Sequence, residues 1–259
     1  MKRLIALIVA AVMCTVGFIG CTSQKELVIG YTEYPPMNYF ENDKLVGFDT
    51  EFAEAVCAKL GYKAKFQLID WNSKYVELNG GTIDCIWNGF TYNSTDDDGV
   101  ERSEKVDFTY AYMNNKQCVV VKKDALATLS SKDALAGKKV AAEDGSAGEG
   151  IAKELIGDNG TYVGATAQMN TLTELSSGNV DFVVIDKTMA DSIIGKGDYA
   201  DLAIAEGVEI EGEQYAVGFK KGSELTDKVN QAIKELAADG TLARLAEKYG
   251  LSNYLITEY

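Results

Sequence analysis

Short apolar segments alternate with helix-like segments along most of this 259-residue sequence. Residues 26–31 and 83–87 have the apolar character of buried strands, whereas residues 49–60 place apolar side chains four residues apart, as on one face of a helix. Such alternation indicates an α/β fold with mainly parallel sheets, because parallel neighbours need a crossover connection that is usually helical. Asp49 is the predicted N-cap of the first helix.

The alternation stops near residues 113–118 and then begins again. A strand at 139–142, a helix at 145–155 and a buried strand at 182–185 follow, and a strand at 215–219 precedes two C-terminal helices. Two sets of similar size predict two lobes. A ligand would bind in the cleft between them, because ligands of open α/β sheets lie beyond the carboxyl ends of the strands.

The sequence contains no His, and its 39 acidic residues exceed its 25 basic residues, giving a net charge of −14. The absence of His excludes a Ser-His-Asp triad and His-ligated zinc or haem. The acidic charge argues against nucleic acid, which is bound through Lys and Arg at its phosphates. No metal or cofactor is predicted. Asp96, Asp97 and Asp98 lack the alternating ligand spacing of a calcium loop, so an exposed acidic turn is favoured.

The N-terminus has the pattern of an export signal. Lys2 and Arg3 precede an apolar run that is short for a membrane-spanning helix and ends at Ile19. Gly20-Cys21 then precedes a polar segment, which is similar to a lipobox, where Cys21 is lipidated and becomes the first residue of the mature chain. An uncleaved anchor helix is the alternative. We expect an extracytoplasmic protein that is lipid-anchored to the outer face of the cell membrane or is periplasmic.

Cys57, Cys85 and Cys118 lie in apolar contexts, and their spacing fits no metal motif. They are predicted to be small buried hydrophobic residues. A disulfide between two of them is the alternative, because exported proteins meet an oxidising environment.

Several residues could take part in binding. Residues 145–150 form a Gly-rich turn before a helix, where free amides suit a carboxylate or phosphate, although glycine could be needed for the turn itself. Arg102 could bind a carboxylate or could be a solvated surface residue. Asp186 ends an apolar strand, where it could pair with a ligand cation or cap the next helix. Aromatic residues near strand ends could wall a ligand or belong to the core; these are Tyr31, Tyr34, Trp71 and Trp87.

Six segments occur in an order that is typical of one protein family. They are LVIGYTEYPPMNY with LVGFD at 45–49, GGTIDCIWNGFT at 80–91, ER and VDFT within 101–109, LAGKKV and GS within 135–146, GNVDFVVID at 178–186, and DGT and KYG within 239–250. Together they resemble the polar amino-acid-binding lipoproteins of ABC importers, which are solute-binding proteins of family 3. The resemblance extends from about residue 26 to residue 251.

The resemblance implies a periplasmic-binding-protein-like fold, in which two α/β lobes are joined by a two-strand hinge with the ligand cleft between them. The hinge strands are expected near 113–118 and 211–216. The predicted domains are a signal peptide at 1–20, a lipidated linker at 21–25, a discontinuous lobe 1 at 26–114 and 216–259, and lobe 2 at 115–215.

The resemblance also implies a ligand site. Arg102 would bind the α-carboxylate of an amino acid and Asp186 its α-ammonium, because a zwitterion needs one cation and one anion at a fixed separation. The other predicted contacts are Thr91 and the amides of Ser146 and Ala147 for the carboxylate, the Gly89 carbonyl for the ammonium, Tyr34 and Trp87 as walls, and Asn88, Tyr31 and Lys74 elsewhere in the pocket.

The sequence departs from the family pattern at two places. Residues 94–100 are an extra stretch before Arg102, which leaves the placement of Arg102 open. Ala147 stands where a hydroxyl residue is common, so one hydrogen bond to the carboxylate would come from the backbone alone. Lys74 is a further point of interest, as a partner for an acidic or polar ligand side chain or as an exposed surface residue.

The predicted function is to capture an amino acid by lobe closure and deliver it to the transmembrane subunits of an ABC permease, without chemistry. The ligand is expected to be a polar, acidic or cystine-like amino acid, and the protein a monomer. The alternatives are an exported enzyme of the dehydratase type that uses Glu33 as its acid–base group, a ligand-sensing module for a separate receptor, and an adhesin that retains the fold.

Overall fold

The computed structural model describes residues 24–259. Within that range no helix is long and apolar enough to cross a membrane. The predicted signal peptide at 1–20 and the predicted lipidation site, Cys21, lie outside the described residues.

Strands and helices alternate throughout the described residues, as the sequence predicts. The strands are β1 (Glu26–Tyr31), β2 (Tyr39–Glu41), β3 (Lys44–Val46), β4 (Lys63–Leu68), β5 (Cys85–Ile86), β6 (Val106–Phe108), β7 (Met113–Lys122), β8 (Lys139–Glu143), β9 (Thr161–Ala165), β10 (Phe182–Asp186), β11 (Leu202–Ile204), β12 (Gly212–Tyr215) and β13 (Gly218–Lys220). The helices are α1 (Phe48–Leu60), α2 (Lys74–Gly80), α3 (Arg102–Lys105), α4 (Lys132–Leu135), α5 (Ala147–Ile156), α6 (Gln168–Ser177), α7 (Lys187–Ile193), α8 (Leu225–Ala238) and α9 (Thr241–Lys248).

The first lobe is built on a sheet with the strand order β4-β1-β5-β13-β6. Strands β4, β1 and β5 are parallel, whereas β13 is antiparallel to both of its neighbours. Helix α1 packs against α8 and α9, and its apolar face buries Phe52 and Val56 completely. Because the apolar side chains of helix and sheet face one another, this lobe has its own core.

The second lobe is built on a sheet with the strand order β11-β7-β10-β8-β9. The β10–β8 and β8–β9 pairs are parallel, but β7 is antiparallel to β10 and to β11. The prediction of mainly parallel sheets is therefore wrong, since both sheets are mixed. The reason is that β7 enters the second sheet from the hinge and β13 enters the first sheet after the chain returns through β12, and each runs against the direction of the local βα units.

The hinge is an antiparallel pair formed by β7 and β12. It joins residues 113–116 to residues 212–215, and β7 then continues into the second sheet. The predicted strand at 215–219 is divided here, because β12 ends at Tyr215, the chain passes back to the first lobe, and β13 starts at Gly218. Two α/β lobes and a two-strand hinge are thus confirmed. The domain boundary at 114/115 falls within this pair and the one at 215/216 falls at its end, and both stay a prediction.

The carboxyl ends of strands from both sheets meet at one place. Tyr34 and Asn88 follow β1 and β5 of the first lobe, and Glu143 and Asp186 are the last residues of β8 and β10 of the second. All four residues line the same cavity between the lobes. This is the position that the open-sheet rule gives for a ligand.

Cys57, Cys85 and Cys118 are buried and have free thiols. Burial raises the pKa of the Cys57 thiol to about 11, so it stays protonated at neutral pH. The prediction that these residues behave as small hydrophobic side chains is confirmed.

Asp49 is not the N-cap that its sequence position predicts. Gly47 occupies the cap position of α1, and Asp49 lies inside the first turn with its side chain fully buried. Its Oδ2 accepts hydrogen bonds from the Gly89 amide at 2.7 Å and from the Tyr112 hydroxyl at 2.8 Å. Asp49 therefore fixes the backbone of the loop that follows β5 and lines the cavity.

We predict that Asp49→Asn reduces the pH dependence of stability. Burial raises the pKa of Asp49 from 3.8 to about 7, so the folded state binds more protons than the unfolded state between these values. The free energy of unfolding therefore falls as pH rises through this interval, by up to a few kcal/mol, since one pKa unit corresponds to about 1.4 kcal/mol. Asn keeps an oxygen for the Gly89 amide but does not ionise.

Denaturant unfolding from about pH 4 to pH 8 measures this effect, and Glu54→Gln on the exposed face of α1 is the matched control. The control should keep the wild-type slope. The explanation fails if Asp49→Asn keeps it too.

Candidate functional site

The cavity between the lobes encloses about 10 Å³ and is lined by both of them. The first lobe contributes aromatic, amide and guanidinium groups, and the second contributes carboxylates and a helix N-terminus. The lining residues are Tyr34, Trp71, Asn88, Gly89, Thr91 and Arg102 from the first lobe, and Gln117, Glu143, Ser146, Ala147, Gln168 and Asp186 from β7 and the second lobe.

Arg102 is 1% exposed and its guanidinium is held by three acceptors. Nε donates to Asp96 at 2.8 Å, Nη1 to the Thr91 carbonyl at 3.2 Å, and Nη2 to the Gly145 carbonyl of the other lobe at 3.2 Å. A guanidinium has five N–H groups, so one N–H remains on each terminal nitrogen. Two N–H groups on neighbouring nitrogens can bind a carboxylate bidentately.

The extra stretch at 94–100 provides the anion that balances Arg102. It was predicted to be an exposed acidic turn, but the Asp96 side chain is only 12% exposed and also binds Lys105 at 2.8 Å. Burial alone would raise the pKa of Asp96, but the Arg102 charge and the Lys105 hydrogen bond outweigh burial and lower this pKa to about 2. The insertion therefore holds Arg102 at the cavity.

Asp186 is 5% exposed and is held by neutral donors. Its Oδ1 accepts hydrogen bonds from Asn115 at 2.6 Å, from Gln117 at 2.7 Å and from the Tyr215 hydroxyl at 2.7 Å, and its Oδ2 accepts one from Gln168. Asp186 occupies the N-cap position of α7, but its side chain does not cap that helix. With one donor on Oδ2, this oxygen can accept a further hydrogen bond from a ligand cation.

Two further carboxylates lie beside Asp186. The Glu213 Oε1 accepts hydrogen bonds from Asn115 at 2.5 Å and from Gln117 at 2.9 Å, so the same two amides bind both acids. Glu143 is 3% exposed, and its Oε1 has no hydrogen-bond partner within residues 24–259. Burial, and next the Asp186 charge, raise the pKa of both Glu143 and Glu213.

Helix α5 points its N-terminus at the cavity. Ser146 is its N-cap and accepts a hydrogen bond from the Glu149 amide at 3.2 Å, while Glu149 accepts one from the Gly145 amide at 2.6 Å. The first amides of a helix, here starting at Ala147, have no intrahelical partner, and the helix dipole makes this end positive. This end of α5 is suited to an anion.

Tyr34 crosses the space between the lobes. Its hydroxyl lies 2.5 Å from Thr188 Oγ1 and 2.7 Å from the Tyr215 hydroxyl, which in turn donates to Asp186. Gly89 beneath it has φ +58°, and a Cβ there would lie 2.6 Å from the Tyr34 ring. The loop after β5 therefore needs glycine where it approaches Tyr34.

Asn88 anchors the same loop and has little hydrogen-bonding capacity left. Its amide nitrogen donates to the Thr32 carbonyl at 2.9 Å and to Asn38 at 2.7 Å, and its oxygen accepts from the Thr32 amide and hydroxyl. Asn88 therefore lies at the cavity, but its side-chain hydrogen bonds stabilise the loop.

Three predicted residues, Trp87, Tyr31 and Lys74, do not line the cavity. Trp87 is fully buried in the first lobe, where its ring meets Phe52 edge-on at 5.0 Å, so the prediction of Trp87 as a wall needs correction. Tyr31 packs edge-on against Phe66 at 6.1 Å. The aromatic wall beside Tyr34 is Trp71 instead, because the turn after β4 brings it to the mouth of the cleft.

Lys74 lies next to the cavity and is not an exposed surface residue. It is 2% exposed, and its Nζ donates to the Gly145 carbonyl at 2.8 Å and to the Trp71 carbonyl at 3.3 Å. Burial, and next the nearby Arg102 charge, lower the pKa of Lys74 to about 7. Its ammonium therefore joins the lobes at Gly145 in this structure.

The sequence predictions missed the amides that hold Asp186, and also Glu143. Asn115 and Gln117 are two residues apart on β7, so their side chains share one face of a strand that continues into an apolar run. Glu143 ends an apolar strand just as Asp186 does. Polar residues at these positions are a usable signal, because a buried polar group needs a partner.

Comparisons with known proteins agree with this geometry. Residues 27–252 match the family described as bacterial extracellular solute-binding proteins, family 3. The arginine-binding extracellular protein ArtP of Bacillus subtilis (strain 168) is 32% identical over 259 residues, covering 96% of this chain and 98% of that protein. The L-cystine-binding protein TcyJ of Escherichia coli (strain K12) is 30% identical over 220 residues, covering 83% and 79% respectively.

A solved structure is similar as well. The structure of an ancestral arginine-binding protein bound to arginine matches with a TM-score of 0.79 and 33% sequence identity, covering 87% of this chain and 98% of that one. The similarity therefore extends over most of both lobes.

Proposed function

Because the chain belongs to the bacterial extracellular solute-binding proteins of family 3, we propose that it captures an amino acid outside the cytoplasm and delivers it to an ABC permease. The resemblance given by the six sequence segments is thereby confirmed. The observation that carries the proposal is the pair of buried, opposite charges in one cavity. Arg102 and Asp186 reach it from different lobes, and both keep hydrogen-bonding capacity toward it.

The proposed binding mode follows the charges. The α-carboxylate binds the two remaining N–H groups of Arg102, with Thr91 and the amides at the start of α5 nearby. The α-ammonium binds the Asp186 Oδ2 and the Gly89 carbonyl. Both contacts are strong because the cavity is shielded from water, which lowers the effective dielectric constant.

Lobe closure follows from the contacts between the lobes. Tyr34 meets Thr188, and Arg102 and Lys74 both donate to the Gly145 carbonyl. A ligand held by Arg102 and Asp186 adds contacts to both lobes only when they are together. Binding therefore shifts the population toward the closed form, which the permease would recognise.

The proposal requires no covalent step. Glu33, which the enzyme alternative would use, is exposed and does not line the cavity. Mass spectrometry of the bound ligand tests this point, since a solute-binding protein returns its amino acid unchanged. Conversion of a bound candidate into a dehydrated product would favour the enzyme alternative.

The first test is a thermal-shift screen against the twenty amino acids, cystine and short peptides. A compound that binds the folded state alone raises the midpoint, and saturation at about 100 Kd stabilises by about 2.7 kcal/mol. We expect a shift with at least one free amino acid and none with its α-amide or N-acetyl derivative. The absence of a shift with any amino acid would contradict the proposal.

Arg102→Met should weaken amino-acid binding by at least about tenfold, because a charge-assisted hydrogen bond contributes about 1.5–3 kcal/mol. The same change should lower stability, since Asp96 loses one of the two cations that it contacts at 2.8 Å. The double variant Arg102→Met/Asp96→Asn should recover much of the stability but none of the affinity.

Calorimetric titration and thermal unfolding separate these two effects. Arg244→Met, which changes an exposed arginine in α9, is the matched control and should leave both unchanged. Wild-type affinity in the double variant would mean that Arg102 only supports the fold.

We also propose that lipidation of Cys21 anchors the protein at the outer face of the membrane. Cys21→Ser should abolish fatty-acid labelling and release the protein from the membrane fraction, because acyl chains supply the membrane affinity. Cys14→Ser is the matched control and should remain labelled. A labelled, membrane-bound Cys21→Ser variant would mean that the anchor lies elsewhere.

A further inference from the structure

One buried carboxylate in the cavity remains unexplained by the amino-acid backbone. Arg102 and Asp186 account for the α-carboxylate and the α-ammonium, but Glu143 also lines the cavity and is 3% exposed. Its Oε1 is buried and finds no hydrogen-bond donor among the described residues. A buried polar atom in this state destabilises the folded protein, and it does so more strongly if it is charged.

The surroundings of Glu143 carry an excess of negative charge. The Asp186, Asp70 and Asp144 charges all disfavour the ionised form of Glu143, and the Lys74 ammonium opposes them in part. The cations on the other side, Lys74 and Arg102, both donate hydrogen bonds to the Gly145 carbonyl. Neither of them donates a hydrogen bond to Glu143. A positively charged donor for this carboxylate would therefore have to come from a ligand in the cavity.

We infer that Glu143 binds the cationic side-chain group of the ligand, so that the protein selects basic amino acids. This inference rests on the proposed function and names its substrate class. An ammonium or guanidinium at Glu143 supplies the missing donor and offsets the negative charge of the second lobe. Acidic amino acids are rejected, because a second carboxylate would be placed beside Glu143 and Asp186.

The sequence suggests Lys74 as a partner for an acidic or polar ligand side chain, but the Lys74 ammonium already has partners within the protein. The Lys74 Nζ already has two carbonyl acceptors and stacks over the rings of Trp71 and Tyr75 at 5.3 and 4.7 Å. Glu143, by contrast, lines the cavity and has a buried carboxylate oxygen with no hydrogen-bond partner among the described residues. Of the two residues, Glu143 is the one that needs a partner.

The test is titration calorimetry with arginine, lysine and ornithine as basic ligands, and with glutamine, cystine and glutamate as comparisons. We expect the tightest binding with a basic amino acid. Glu143→Gln should weaken that binding by at least about tenfold and change glutamine affinity far less. The matched control is Glu154→Gln, which removes the same charge from the exposed side of α5 and should change neither.

Proton release on ligand binding gives a second measurement. It would not differ between wild type and Glu143→Gln if Glu143 had only a structural role. Burial raises the pKa of Glu143, and a ligand cation favours its ionised form, so binding of a basic ligand releases protons. Affinity therefore falls as pH is lowered. Lys74 and Glu213 also titrate nearby, so the quantity to compare is the release by wild type minus the release by Glu143→Gln, measured in buffers of different ionisation enthalpy.

The outcomes separate this inference from the proposed function. Tight binding of a neutral or acidic amino acid, with no preference for basic ones, would overturn the substrate class while the proposed function stands. Equal basic-ligand affinity and equal proton release in wild type and Glu143→Gln would overturn the role of Glu143. Failure to bind any amino acid would instead reject the proposed function.

Discussion

The site depends on two opposite charges that are removed from water and held by different lobes. Burying a charge is costly unless hydrogen bonds or an ion pair compensate for it. Arg102 is compensated by Asp96 and two carbonyls, and Asp186 by four neutral donors. No ion pair joins Arg102 to Asp186, so their attraction is not satisfied internally. The space between them therefore favours a molecule that carries both charges at a fixed separation, as an amino-acid zwitterion does.

The carboxylate that balances the buried charge of Arg102 belongs to the segment that departs most from the family pattern. The stretch at 94–100 places Asp96 against the Arg102 Nε, which leaves the two terminal nitrogens directed at carbonyls and cavity. The next residue, Asp97, reaches the second lobe and binds Lys153 at 2.7 Å. This pair is half-exposed, so it adds little to stability by itself. The insertion thus belongs functionally to the cleft, although the sequence indicated only an acidic surface turn.

Residues at the strand ends were predictable from the sequence, whereas the side chains that hold them in place through hydrogen bonds were not. Asp186 was found because it ends an apolar strand at the carboxyl edge of a sheet, whereas Arg102 and Gly89 were found because the motifs around them match a family. The sequence did not indicate which of Trp87 and Trp71 lines the cavity, since each follows an apolar segment. The conformation of the local turn decides which ring reaches the cleft. Gln168 and Asn115 were missed, because their contacts with Asp186 depend on packing between elements 18 and 71 residues apart. Sequence periodicity reports which face of an element is buried, but not which distant element covers it.

The side chains that donate hydrogen bonds to Asp186 also connect the site to the hinge. Asn115 lies on β7 within the hinge pair, and its side-chain nitrogen donates both to Asp186 and to Glu213 of β12. Gln117, two residues along β7, repeats this double contact. The two hinge strands are therefore crosslinked through the same amides that orient the ligand-binding carboxylate. Because a lobe rotation changes the backbone of β7 and β12, it also changes the donors around Asp186, so ligand contact and hinge angle are parts of one hydrogen-bond network.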